Sequence, residues 1–203
     1  MAKIEYIKKA RKQWKCNKCG CTIEKGDSYF KAEINFGPTI VRCKKCGLQS
    51  WEVTTSEYGL AVGDLVHNWE EYHGAGDCAP ESVASAVAEI RDDVQSRLDN
   101  MPESLQYSPT GELLQERIDA LDSAESELEG ICVDEFKERA LCTYSEELAE
   151  AIPDYDEDSA DADYYDALLE NAGVPASIKE QLVEAFEDEV RDAIQEILDE
   201  LEY

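Results

Sequence analysis

The sequence predicts an α+β fold, in which a small cysteine-stapled β-hairpin finger is followed by an acidic α-helical body. Three observations predict it. Two C-x-x-C pairs, Cys16/Cys19 and Cys43/Cys46, lie within residues 1–50 of a 203-residue chain. Between the pairs, apolar and polar residues alternate with the period of a half-buried strand. Beyond them, apolar residues recur every three or four positions, the period of helices that bury one face. Charge divides the chain at the same place. Residues 1–50 carry 12 Lys/Arg and 4 Asp/Glu, a balance of +8, whereas residues 51–203 carry 7 and 43, a balance of −36. Salt adaptation would acidify both parts and does not account for the contrast.

The paired thiols come first. Each C-x-x-C pair is followed by glycine, Gly20 and Gly47. Glycine there lets the backbone approach the sulfur with positive φ. Two such knuckles suit a tetrahedral Zn²⁺ held by four thiolates, with Cys16, Cys19, Cys43 and Cys46 as the expected ligands. Cys21, two residues past Cys19, is the spare. A closed four-thiolate shell has no open position for catalysis. Inside the finger, Phe30, Ala32, Ile34 and Phe36 alternate with Lys31, Glu33 and Asn35. Lys25-Gly26-Asp27 forms the turn before this strand, Gly37-Pro38 breaks it, and Thr39-Ile40-Val41-Arg42 returns to the second knuckle. A core of about fifty residues is marginal. The metal is therefore expected to supply most of the folding free energy here, on the order of ten kcal/mol.

The pattern Cys16-x-x-Cys19-x-x-x-Ile23-x-Lys25-Gly26-x-x-Tyr29, then Arg42-Cys43-x-x-Cys46, resembles the PARP-type zinc finger across residues 1–55. It departs at the third ligand, where eukaryotic PARP fingers carry His and this chain carries Cys43, and the aromatic-rich segment before that ligand is missing. Small proteins of tailed bacteriophages look similar in layout, with a basic lead-in, this finger and an acidic helical tail. The resemblance implies DNA contact and, for a phage protein, the host cytoplasm.

Lys8, Lys9, Arg11, Lys12, Lys15 and Lys18 surround Trp14, and Lys44 and Lys45 occupy the second knuckle. Cations beside an aromatic ring suit a phosphate backbone and an unstacked base. The competing reading is charge compensation: four thiolates and Zn²⁺ sum to −2, and the basic arm can also pair with the acidic part of the chain.

The helical elements follow. Tyr58, Val62, Leu65, Trp69 and Tyr72 mark one face of a helix capped by Thr55 or Ser56, with a stripe expected to pack on the zinc hairpin. His73 to Pro80 reads as a loop, dividing a basic zinc finger with packing helix at 1–74 from an acidic helical domain at 75–203. The His67, His73 and Cys78 set lacks a fourth ligand and reads as ordinary loop residues. Pro80 opens the next helix, with Val83, Val87, Ile90, Val94 and Leu98 inward. A helix from Thr110-Gly111-Glu112 turns Leu114, Ile118, Leu121, Leu128 and Ile131 inward. A further helix over 133–151 uses Phe136, Leu141 and Leu148, and Cys132 and Cys142 read as small core residues. The charge run from Pro153 to Asp163 reads as a solvated loop. The last helix carries Ile178, Leu182, Phe186, Val190, Ile194, Ile197 and Leu201, a core stripe and a conceivable seam for self-association.

Several functions are disfavoured. P-loop, nucleophile-elbow and H-E-x-x-H motifs are absent, so no enzyme is expected. There is no apolar run of about eighteen residues and no signal-type apolar region, so no membrane span is expected and a reducing cytoplasm is the expected setting. The favoured function is a non-enzymatic zinc-finger binding protein that contacts nucleic acid or a nucleic-acid-processing machine, with the acidic helices available to a protein partner. The alternative is an acidic interaction protein or DNA-mimic inhibitor in which the zinc site is purely structural.

Overall fold

A computed structural model describes residues 3–33, 38–152, 155, 161–171 and 173–201. It is α+β, with five short strands followed by helices. The chain divides into two compact units, Met1–His67 and Asn68–Glu202.

In the first unit, β1 (Ile4–Ile7), β4 (Tyr29–Glu33) and β5 (Thr39–Cys43) form an antiparallel sheet in the order β1-β4-β5. A separate ribbon pairs β2 (Trp14–Lys15) with β3 (Thr22–Ile23). The expected hairpin is β4–β5, in register Tyr29↔Cys43 and Ala32↔Ile40. Ile34, Asn35, Phe36 and Gly37, part of the expected strand and its break, lie outside the described residues.

Strand β4 departs from the half-buried expectation, because both of its faces are covered. Tyr29 shares one core with Ala10, Cys16, Ile23 and Val41. Ala32 shares another with Leu48 and Val53, flanked by Ile4, Phe30 and Ile40. The added strand β1 explains the second core: its Ile4 pairs with Ala32 and covers a flank that a two-stranded hairpin would leave open.

A single 3-10 turn at Trp51–Val53 precedes α1 (Glu57–His73). Ser56 caps α1, its Oγ accepting from Gly59 N–H at 3.1 Å. Tyr58, Val62, Leu65 and Trp69 are buried, but Tyr72 is 60% exposed and falls off the expected stripe. The stripe does not belong wholly to the finger either, because Trp69 Nε1 donates to Gln195 Oε1 at 3.0 Å inside the second unit. Gly63 lies where a Cβ would come 2.7 Å from Trp51 Cβ. Gly63→Ala is expected to push Trp51 from its stack on His67 and to cost about 1–3 kcal/mol by overpacking. Thermal denaturation and Trp fluorescence of the variant check this.

In the second unit, α2 (Ala79–Asp99) and α4 (Pro109–Glu129) form an antiparallel pair joined through the short α3 (Glu103–Gln106). Val83, Val87 and Val94 are buried along α2, as are Ile118, Leu121, Ala124 and Leu128 along α4. Arg91 of α2 pairs with Asp122 at 3.0 Å and with Glu125 of α4. Gln106 holds the link, its amide donating to Met101 O at 3.1 Å.

The expected helix over 133–151 is two helices, α5 (Val133–Thr143) and α6 (Ser145–Ala151). Tyr144, at φ −108° and ψ 21°, ends one and starts the other, and Leu148 of α6 is fully buried. Cys132 and Cys142 are exposed rather than core residues, because the buried face of α5 is formed by Phe136, Lys137, Ala140 and Leu141.

The expected loop over 153–163 lies largely outside the described residues, but its end is helical. Asp161 accepts from Tyr164 N–H at 2.9 Å and caps α7 (Ala162–Glu170). Tyr165 of α7 is fully buried and donates to Leu182 O at 3.2 Å. In α8 (Ala176–Asp199) the buried stripe runs Ile178, Leu182, Phe186, Val190, Ile194 and Leu198, so Leu198 takes the place expected for Ile197. Among the described residues no helix is long and apolar enough to cross a membrane.

Candidate metal centre

Local pairing brings the first knuckle together. The β2–β3 ribbon pairs Trp14 with Ile23 and Lys15 with Thr22. One step further, Cys16 N–H donates to Cys21 O at 2.9 Å, so Cys16 and Cys21 stand across from each other where the ribbon ends. The turn between them closes through Gly20 N–H to Cys16 O at 2.9 Å, with Gly20 at φ 70°. The second knuckle repeats the device: Gly47 N–H donates to Cys43 O at 3.1 Å, with Gly47 at φ 66°. Any side chain at either glycine would be strained in this left-handed backbone.

Asn17 joins the two knuckles. Its N–H donates to Val41 O at 2.9 Å, and its Oδ1 accepts from Val41 N–H at 2.6 Å. This pair of hydrogen bonds to β5 sets the Cys19 and Cys43 sulfurs 3.8 Å apart. A tetrahedral zinc with Zn–S bonds of about 2.3 Å spaces its sulfurs by about 3.8 Å.

The sulfurs of Cys16, Cys19, Cys21 and Cys43 all lie within 4.8 Å of one another. Cys46 stands beside this group, its thiol interacting with those of Cys19, Cys43 and Cys16. Cys21, the spare of the sequence reading, is thus inside the cluster. The missed signal is the alternation along β3, where Cys21 lies two positions from the buried Ile23 and so shares its face of the ribbon. None of the eight cysteines is in a disulfide. Cys78, Cys132 and Cys142 are exposed and stand outside the cluster.

The thiols do not ionise alike. Burial opposes charge on Cys16, but N–H groups of Cys19, Cys43 and Lys18 outweigh it and hold the thiol down at about 6. The Cys43 thiol is lowered chiefly by the Cys46 backbone, against the cost of burial. The thiols of Cys19 and Cys43 push Cys21 and Cys46 each up to about 12. Such crowding opposes accumulation of negative charge on neighbouring sulfurs, and a divalent cation relieves it. Soft thiolate donors at this spacing fit Zn²⁺.

Of the residues expected to meet nucleic acid, Lys8, Lys9, Arg11, Lys12, Lys15, Lys18, Lys44 and Lys45 are exposed. Among the described residues of the first unit, no carboxylate forms an ion pair with any of them. Trp14 is half-buried against Tyr29, with Lys12 Nζ 4.2 Å from its ring centroid. Lys44 and Lys45 line an open cleft together with Cys19, Cys21, Cys43 and Cys46. The ion pair Arg42–Glu52, at 2.8 Å, is by contrast turned inward and links β5 to the 3-10 turn.

Fold and site together define an α+β protein whose cysteine cluster is able to hold a metal ion. Comparison with protein-family models, curated proteins and solved structures gives no match.

Proposed function

We propose that this chain is a non-enzymatic binding protein, with Zn²⁺ as a structural ion in the cysteine cluster and the basic N-terminal unit as a surface that meets nucleic acid or a nucleic-acid-bound protein. When bound, the metal supplies a cross-link between the two knuckles. Asn17 aligns those knuckles, and Gly20 and Gly47 permit their turns.

The observation that carries the nucleic-acid reading is the set of exposed cations that, among the described residues of their own unit, pair with no carboxylate. Charge compensation at the cluster explains Lys18, Lys44 and Lys45. It does not explain Lys8, Lys9, Arg11 and Lys12, which precede the first knuckle. Phosphate supplies the missing counter-charge, and Lys12 over Trp14 presents a cation on an aromatic ring. The resemblance to the PARP-type finger points the same way.

Fluorescence anisotropy with single- and double-stranded DNA and RNA, titrated with salt, tests this. Binding is expected at low salt and weakens as salt rises. Replacing Lys8, Lys9, Arg11 and Lys12 by Gln is expected to flatten the logarithmic salt slope by about one for each of these cations that neutralises a phosphate. No binding to any of these probes at low salt would defeat the reading. Displacement of DNA from a nuclease or polymerase by the same protein would then favour the acidic-mimic alternative. The side-by-side packing of α2 and α4 supports that alternative, because paired acidic helices approach the charge spacing of a duplex more closely than one helix does.

A further inference from the structure

The cluster holds more thiols than a zinc ion takes. Cys16, Cys19, Cys21 and Cys43 form a mutually close group, and Cys46 adjoins three of them. A structural zinc site is four-coordinate, and a fifth thiolate would add uncompensated charge without a bonding position. One thiol of the five must stand aside.

Geometry limits which one. Cys19 and Cys43 are the 3.8 Å edge on which both remaining candidates converge. Cys16 is 2% exposed, fixed by its backbone bond to Cys21, and has no route out of the cluster. Cys21 reaches the edge from the end of the β2–β3 ribbon, and Cys46 reaches it from the second knuckle. Cys19, Cys21, Cys43 and Cys46 all line the open cleft, but only Cys21 and Cys46 lie off the Cys19–Cys43 edge, so either can turn its sulfur to water without breaking that edge.

We propose that Cys16, Cys19 and Cys43 are constant ligands and that the fourth position is exchanged between Cys21 and Cys46. This rests on the metal-binding reading above. In the exchange a Zn–S bond to Cys21 forms as the bond to Cys46 breaks, and the Cys21 proton passes through water to the released Cys46 sulfur. Charge on the centre is unchanged, and no oxidant or reductant takes part. The exchangeable corner faces Lys44 and Lys45, so the same cleft that offers cations to phosphate is where the metal shell opens.

The test is alkylation of the zinc-loaded full-length protein with iodoacetamide, followed by peptide mass spectrometry. Exposed Cys78, Cys132 and Cys142 label fully and serve as internal references. Protection of Cys16, Cys19 and Cys43, with label divided between Cys21 and Cys46, is the expected result. Label confined to Cys21, or confined to Cys46, would overturn the proposal in favour of a fixed four-ligand site. Cys21→Ser and Cys46→Ser are each expected to keep one equivalent of zinc, with affinity within about tenfold of the parent. The double variant is expected to lose stoichiometric binding. Loss of zinc by either single variant would also overturn the exchange. A parent protein that binds no zinc and labels at all five thiols would instead defeat the metal reading itself.

Discussion

Removing the metal with a chelator, or replacing Cys43 by Ser, is expected to unfold the N-terminal unit while the helical circular dichroism of the chain changes little. The unit is held by two small cores, Ala10/Cys16/Ile23/Tyr29/Val41 and Ala32/Leu48/Val53. Neither contains more than one large aromatic side chain among its fully buried members. Cores of that size rarely offset the conformational entropy of some fifty residues. A thiolate-bound zinc contributes about 10–16 kcal/mol in small metal-folded domains, enough to decide the balance. Cys43 is the informative position because it ends β5, faces Tyr29 across the sheet and belongs to either four-thiol set. Limited trypsin digestion reads the result. Cleavage after Lys31 and Arg42, both inside strands, is expected in the metal-free protein and in Cys43→Ser, but not in the zinc-loaded parent. Cys78→Ser, which alters an exposed thiol outside the cluster, is expected to behave as the parent. Resistance of the metal-free protein at both sites would show that the two cores suffice without the ion.

The second large effect is expected in the helical unit. Tyr165→Ala is expected to destabilise it by about 3–5 kcal/mol, the cost of truncating a fully buried aromatic. The ring packs on Phe186 with centroids 5.7 Å apart, and its hydroxyl ties α7 to α8 through Leu182 O. Burial, reinforced by Asp77, Asp166 and Glu187, raises the tyrosine pKa well above its ordinary value, so the hydroxyl stays protonated and donating. Tyr165→Phe keeps the packing and loses the hydrogen bond, at about 1 kcal/mol. Urea denaturation followed by helical circular dichroism separates the two variants. A Tyr165→Ala midpoint equal to that of the parent would mean that α7 lies outside the cooperative core.

Lys137 provides a contrast at the same place. It is 4% exposed, and its Nζ meets Asp77 and Asp166, each at 2.9 Å. Burial works against its charge, but hydrogen bonds to the two aspartates outweigh that and raise its pKa. Both aspartates are more than half exposed, so water can take over their hydration if the lysine is lost. Lys137→Met is therefore expected to fall within about 1 kcal/mol of the parent. Asp77→Asn with Asp166→Asn is expected to cost more, because it strands a buried ammonium. The same urea titrations give the comparison.

The helical part of this molecule is legible in the sequence where a stripe repeats many times. Five buried positions at a spacing of four, from Ile178 to Ile194, identify α8, and Val83/Val87/Val94 identify α2. Shorter elements are not legible. The four residues of β1 show too brief a pattern, and α7 begins inside an acidic run whose composition suggests solvent. Tyr144 has no compositional signal of a break, and Cys132 and Cys142 lie next to apolar residues in sequence yet point away from them in the folded chain.

Local chemistry settles the two knuckles: C-x-x-C followed by glycine closes the same turn at Gly20 and Gly47 whatever surrounds it, because the sulfurs, the positive φ and the closing hydrogen bond all lie within five consecutive residues. Charge asymmetry and the long helical stripes are likewise properties of the chain order alone. The membership of the cluster is not. Cys21 enters it through strand pairing across the β2–β3 ribbon, and Cys19 meets Cys43 because Asn17 grips Val41. The Cys19–Cys43 and Asn17–Val41 contacts join residues 24 positions apart. Only the folded sheet brings such residues within bonding distance, since their proximity depends on register between strands and not on spacing along the chain.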